Sequence, residues 1–182
     1  GSDSTFSAYN GGLRAPPPPP MVLYAVTIFT SAFLLFLVQP VIAKQILPWF
    51  GGSATVWTTC LVFFQTVLLL GYAYADWTVR RLTTRGSLLL HSTLLAASIA
   101  VLPIIPSAFW KPAGAENPSW LILGMLTATI GLPYFLLSTT SPLVQAWFAR
   151  RFPSRSPYRL FALSNLASMI ALLGYPFLLE PW

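Results

Sequence analysis

One run of residues constrains this chain more than any other: Met21 to Ala43 is 23 residues long and carries no charge. As a helix it extends about 35 Å at ~1.5 Å per residue. That matches a hydrocarbon layer of about 30 Å. The run is too long for a signal peptide, and no small-residue cleavage site follows it, so it reads as a spanning helix. Composition carries the same reading through the whole chain. Hydrophobic residues make up 55% and charged residues 8%, against roughly 25% charged in ordinary soluble domains.

Further apolar runs follow at 54–75, 87–105, 119–148 and 158–179. With 21–43 they predict an all-α polytopic bundle of about five transmembrane helices over residues 21–182. Residues 1–20 read as a flexible tail, and Pro16–Pro20 favour an extended polyproline rod over a helix. The fourth run is too long for one straight span. Gly131, Pro133 and Pro142 predict a bend or break between Gly131 and Pro142. Between the first two helices, Gly51-Gly52 supplies a turn and Ser53 an N-cap. Gly71/Ala75, Ala96/Ala100 and Ser164/Ser168 have the small-xxx-small spacing that lets helices approach closely.

The net charge of +6 does not imply nucleic acid, because its placement follows the loops. Arg80, Arg81 and Arg85 lie between helices 2 and 3. Arg150, Arg151, Arg155 and Arg159 lie between helices 4 and 5. Lys44 and Lys111 are alone in the alternate loops. Basic residues favour cytoplasmic loops, so the N-terminus is expected in the cytoplasm and the C-terminus outside. Cys60, the only cysteine, excludes an intrachain disulfide.

The polar residues inside the apolar runs are few. Ser138, Thr139, Thr140, Ser141 and Gln145 surround Pro142. Hydroxyls there can bond carbonyls freed by the proline, or line a solute path at an irregular helix. Gln65 and Asn165 can face the same interior or bond between helices. Gln39 and Lys44 end helix 1, where a lysine extends to water as an anchor or turns inward to an anionic group. His91, the only histidine, is either a polar residue near the interface or an axial ligand for haem or a chlorophyll-type pigment. No mid-membrane carboxylate, metal cluster or catalytic motif is visible, so no catalytic residue, metal or cofactor is expected.

Three stretches, SAFLLFLVQPVIAKQILPWFGGSATVWTTCLVFFQTVLLLGYAYA (31–75), LPYFLLSTTSPLVQAWFAR (132–150) and SPYRLFALSNLASMIALLGYPFLLEP (156–181), together resemble the membrane domain of bacterial spermidine synthase-like integral membrane proteins. The resemblance covers most of 21–182. It implies a multi-pass location in the bacterial inner membrane. In that family further transmembrane helices are usual, and a soluble aminopropyltransferase-like domain often follows. None of that soluble domain lies within these residues, so the resemblance carries over no catalytic residue. The reading is a non-catalytic membrane domain or subunit, with the lipid bilayer and other membrane proteins as partners. The alternatives are part of a polyamine-related or small-solute transporter, and a pigment- or haem-associated subunit.

Overall fold

A computed structural model describes residues 21–100, 107–112, 114 and 117–178. These form six α-helices: α1 Met21–Phe50, α2 Ala54–Arg81, α3 Thr84–Ile99, α4 Pro118–Thr129, α5 Gly131–Arg151 and α6 Tyr158–Leu178. A single 3-10 turn lies at Ala108–Trp110, and no strand occurs among the described residues. The expected tail and Ile105 end of helix 3, Glu116, and the C-terminal Glu180 lie outside them.

Three helices run past their expected ends, α5 by the three residues from Phe148 to Arg151 and two others by more. The sequence reading stops helix 1 at Ala43, but α1 continues to Phe50 with Pro40 and Pro48 inside it. Each proline removes only one ladder bond, and Ile42, Ala43 and Ile46 are buried against the neighbouring helices, which holds the added turns. The helix then stops at Gly51, whose φ of 75° is open to glycine and strained for other residues. Its N–H still reaches Leu47 O at 2.8 Å. Similarly α2 continues from Ala75 to Arg81. Arg80 and Arg81 in the last turn suit the negative end of the helix dipole, and Arg80 pairs with Asp76 one turn earlier at 2.8 Å.

The starts follow local capping. Ser53 accepts from Val56 N at 3.4 Å, as its position predicts. Thr83 caps α3 by accepting from Gly86 N at 3.2 Å, which moves the start of that helix ahead of Ser87. Asn117 accepts from Ser119 N at 3.0 Å, with Pro118 in the first turn, where its missing donor costs little.

The expected break in the fourth run occurs at Ile130, one residue before the predicted interval of Gly131 to Pro142. The axes of α4 and α5 differ by 66°. Pro133 falls in the first turn of α5, where no intrahelical donor is required. Pro142 lies inside α5 without ending it. Hydroxyl bonds flank it: Ser138 donates to Phe135 O at 2.7 Å, Thr139 to Leu136 O at 2.9 Å, and Thr140 to the same carbonyl at 2.7 Å.

Among the described residues, α1, α2 and α6 are long and apolar enough to cross a membrane, and the bent α4–α5 pair makes at most a fourth. Three or four of the five expected spans are therefore present among the described residues. Helix α3 is described over only 16 residues, which is short of a span.

α5 is the central element. It packs on α1, α2 and α3, while α6 lies mainly against α1. The main core joins Ile46, Phe64, Ile122, Met125, Leu126 and Tyr134 from α1, α2, α4 and α5. A second cluster joins Ile28, Val144, Phe148 and Leu160. The approach of α2 to α5 depends on Gly71. A Cβ there would lie 1.9 Å from Ser138 Oγ. Gly71 and Ala75 are both buried, whereas Ala96 and Ala100 are exposed. Only some of the small-residue spacings are used.

Candidate functional site

The polar residues of the bundle gather along α5. At its start, the Tyr134 hydroxyl accepts from Gln39 Nε2 at 2.9 Å, and the ring packs on Phe64 at 4.9 Å between centroids. Tyr134 is wholly buried. Gln39 therefore ties α1 to α5 inside the bundle. Lys44, one turn further along α1, is exposed. The sequence reading grouped these two; the helix separates them, one inward and one outward.

Further along, α5 presents two polar faces. On one, Thr140 meets His91 of α3, with His91 Nε2 3.2 Å from Thr140 Oγ1. The Thr140 hydroxyl hydrogen is already committed to Leu136 O at 2.7 Å. Its oxygen must therefore accept, and His91 must carry its proton on Nε2. This leaves Nδ1 as an acceptor in the neutral ring. Nδ1 is buried and without a hydrogen-bond partner. Rings of Tyr74 and Trp147 flank the imidazole at 6.5 Å each. The Tyr74 hydroxyl is also buried; it lies beside Thr78 but makes no hydrogen bond of normal geometry. Trp147 Nε1 donates to Ser87 Oγ at 3.1 Å, fixing the same face of α5 to α3.

On the other face, Gln145 Nε2 donates to Ser141 Oγ at 3.1 Å. Ser141 Oγ and Ser164 Oγ of α6 are 3.5 Å apart. Gln145 Oε1 is buried and unpartnered. Ser138 and Thr139 are wholly buried and bonded to their own helix. The structure thus brings Gln39, Ser138, Thr139, Thr140, Ser141, Gln145 and His91 onto one central helix and its neighbours. Gln65 and Asn165 do not join them. Both are exposed, on the outward faces of α2 and α6.

Tyr74, Ser87, Tyr134 and Trp147 belong to this network and were not singled out from sequence, and Ser164 was named there only for its small-residue spacing. The usable signal was chemical: a buried Tyr or Trp needs a partner for its polar tip.

His91 is 3% exposed, so a macrocycle has no access to it in this packing. No three of His, Cys, Asp and Glu gather among the described residues. A groove of about 360 Å³ lies elsewhere, between α2 and α4, lined by Thr55, Thr58, Thr59, Val62, Ser119 and Leu123. It is largely apolar, and Thr59 and Ser119 already bond each other across it at 3.2 Å.

The arginines collect at one end. Arg150 donates to Leu82 O at 3.5 Å and to Val79 O, which joins the α5 end to the α2–α3 turn. Arg155 donates to Met21 Sδ at the start of α1. The two arginine clusters and the start of α1 therefore share a side of the bundle. Compared with known protein families, curated proteins and solved structures, the chain matches none.

Proposed function

We propose that this chain is a non-catalytic, multi-pass membrane domain that packs with other membrane proteins. The observation that carries this reading is the outward face of the candidate spans. Only 17% of the apolar window of α6 is buried, and 28% of that of α2. Each of these faces presents an exposed amide, Asn165 and Gln65. Apolar side chains facing lipid are ordinary. A carboxamide facing lipid lacks the partners that water would supply, and such side chains in membranes bond across helices.

The proposal includes five crossings with the N-terminus in the cytoplasm, the apolar run 87–105 counting as one and the bent α4–α5 pair as another. Its support is the shared end of the two arginine clusters, as positive loops on one side require. It also includes a bacterial inner-membrane location and kinship with the membrane part of spermidine synthase-like proteins, supported by the three stretches quoted above. The test is carbonate extraction of native membranes together with cysteine labelling. Labelling at Arg81 and Arg155 from the cytoplasm, and at Ala113 from the other side, is the expected result. Release by carbonate, or the reverse labelling, overturns it.

A second reading, part of a small-solute transporter, is favoured by the 66° break before α5 and the unpartnered His91 Nδ1 and Gln145 Oε1. A broken helix with unpaired polar atoms beside it is what an intramembrane binding site needs. A polyamine cargo would call for buried carboxylates. Asp76, the described acid, is exposed and paired with Arg80. Solute uptake by proteoliposomes, abolished by Gln145→Leu, separates this reading from the first.

A further inference from the structure

We propose that the outward face of α6 pairs with α6 of a second copy of this chain, through a hydrogen bond between the two Asn165 amides. This rests on the reading that the chain packs within a membrane, and it names the partner.

Tyr158, Ala162, Asn165, Met169, Leu172 and Pro176 alternate four and three residues apart, and all six are exposed. That is the repeat of a helix-pairing seam, in which every position of a stripe meets the facing helix. Leu160, Ala167 and Ala171 lie on the opposite side of α6 and are buried in this chain. Intramolecular packing therefore consumes one side of α6 and leaves the side that carries Asn165 exposed.

The amide selects the occupant. Asn165 makes no hydrogen bond among the described residues, and its side chain offers both donors and an acceptor. Two such groups meeting across a two-fold axis satisfy each other, since in an isologous interface a residue on the axis faces itself. Copies inserted with the same orientation place Asn165 at one depth. Ala162, one residue-pair earlier on the seam, is small enough to let the backbones approach.

The other exposed amide is a poorer match. Asn165 lies about 10 Å along α6 from its arginine end, at ~1.5 Å per residue. Gln65 lies about 24 Å along α2 from Arg81, at the same end, by the same rise. Joining α6 of one copy to α2 of the next would leave the two amides at different depths. Pairing α6 with α6 does not.

The test is oxidative cross-linking in native membranes, in a Cys60→Ser background retained after carbonate washing. Ala162→Cys and Met169→Cys, which keep Asn165, should each give a disulfide-linked dimer of this chain. Ile170→Cys, off the seam, should not. Asn165→Leu added to either reporter should lower the dimer yield roughly five- to tenfold, while Asn165→Gln should retain much of it. Monomer at both reporters, equal linking at all three positions, or loss of the dimer on Gln65→Leu instead of Asn165→Leu overturns the proposal. A photo-cross-linker at Met169 that captures a different protein also overturns it, yet leaves the membrane-domain reading intact. Loss of the parent chain from washed membranes sinks that broader reading itself.

Discussion

His91 Nε2 lies 3.2 Å from Thr140 Oγ1 and donates to it, because the threonine's own hydrogen is held by Leu136 O at 2.7 Å. The pair joins α3, which is otherwise lightly packed, to the central helix. In a neutral ring this arrangement places the proton of the only histidine on Nε2.

Thr140→Val is expected to destabilise the purified protein by about 1–3 kcal/mol, since it leaves a buried N–H without an acceptor. His91→Leu with Thr140→Val should cost less than the two single changes added together. Thermal unfolding in detergent, run as a double-mutant cycle, measures the difference. An additive result would mean that the two side chains are not coupled.

Gly71→Ala places a methyl 1.9 Å from Ser138 Oγ and 2.9 Å from its Cβ. Separation of α2 from α5 should follow, with a loss of about 1–3 kcal/mol, the usual range for overpacking. Ser138→Gly removes both clashing atoms. The double variant should recover much of the loss in the same unfolding measurement, despite the added glycine in α5.

Tyr134→Phe keeps the ring against Phe64 and removes the acceptor for Gln39. The expected cost is about 0.5–1.5 kcal/mol. Gln39→Leu should cost a similar amount, and the pair should be less than additive. Full additivity in equilibrium unfolding would show that the 2.9 Å contact contributes nothing as a pair.

Arg150→Gln should loosen the end of the bundle where α5 meets the α2–α3 turn, because the guanidinium donates to Val79 O and Leu82 O. Amide exchange in residues 79–86 should rise, while exchange around Tyr134, at the far end of α5, stays unchanged. An unaltered 79–86 segment would show that the arginine is an exposed charge with no structural role.

The sequence alone determined where helices form and where charge collects. Twenty-three uncharged residues in a row admit little besides a helix in an apolar setting. Ser53, Gly51 and Gly131 act through backbone chemistry that reaches only a few residues, so the cap, the turn and the break were legible before any packing was known. The ends beyond Ala43 and Ala75 were not, because burial of Ile46 and the Arg80–Asp76 pair involves neighbours a turn or a helix away. Which side of each helix faces inward was also hidden. In a soluble helix the polar face marks the outside, but here nearly every residue is apolar and the helix period has no contrast to report. Gln65 and Asn165 show the consequence. Their residue type suggested an interior role beside Ser141 and Gln145, and the tertiary packing turns them outward. Conversely, nothing in the sequence marks Tyr74 and Trp147 for an interior role. Only the crossing of α2, α3 and α5 sets them around His91, because that enclosure is made from residues up to 73 positions apart in the chain.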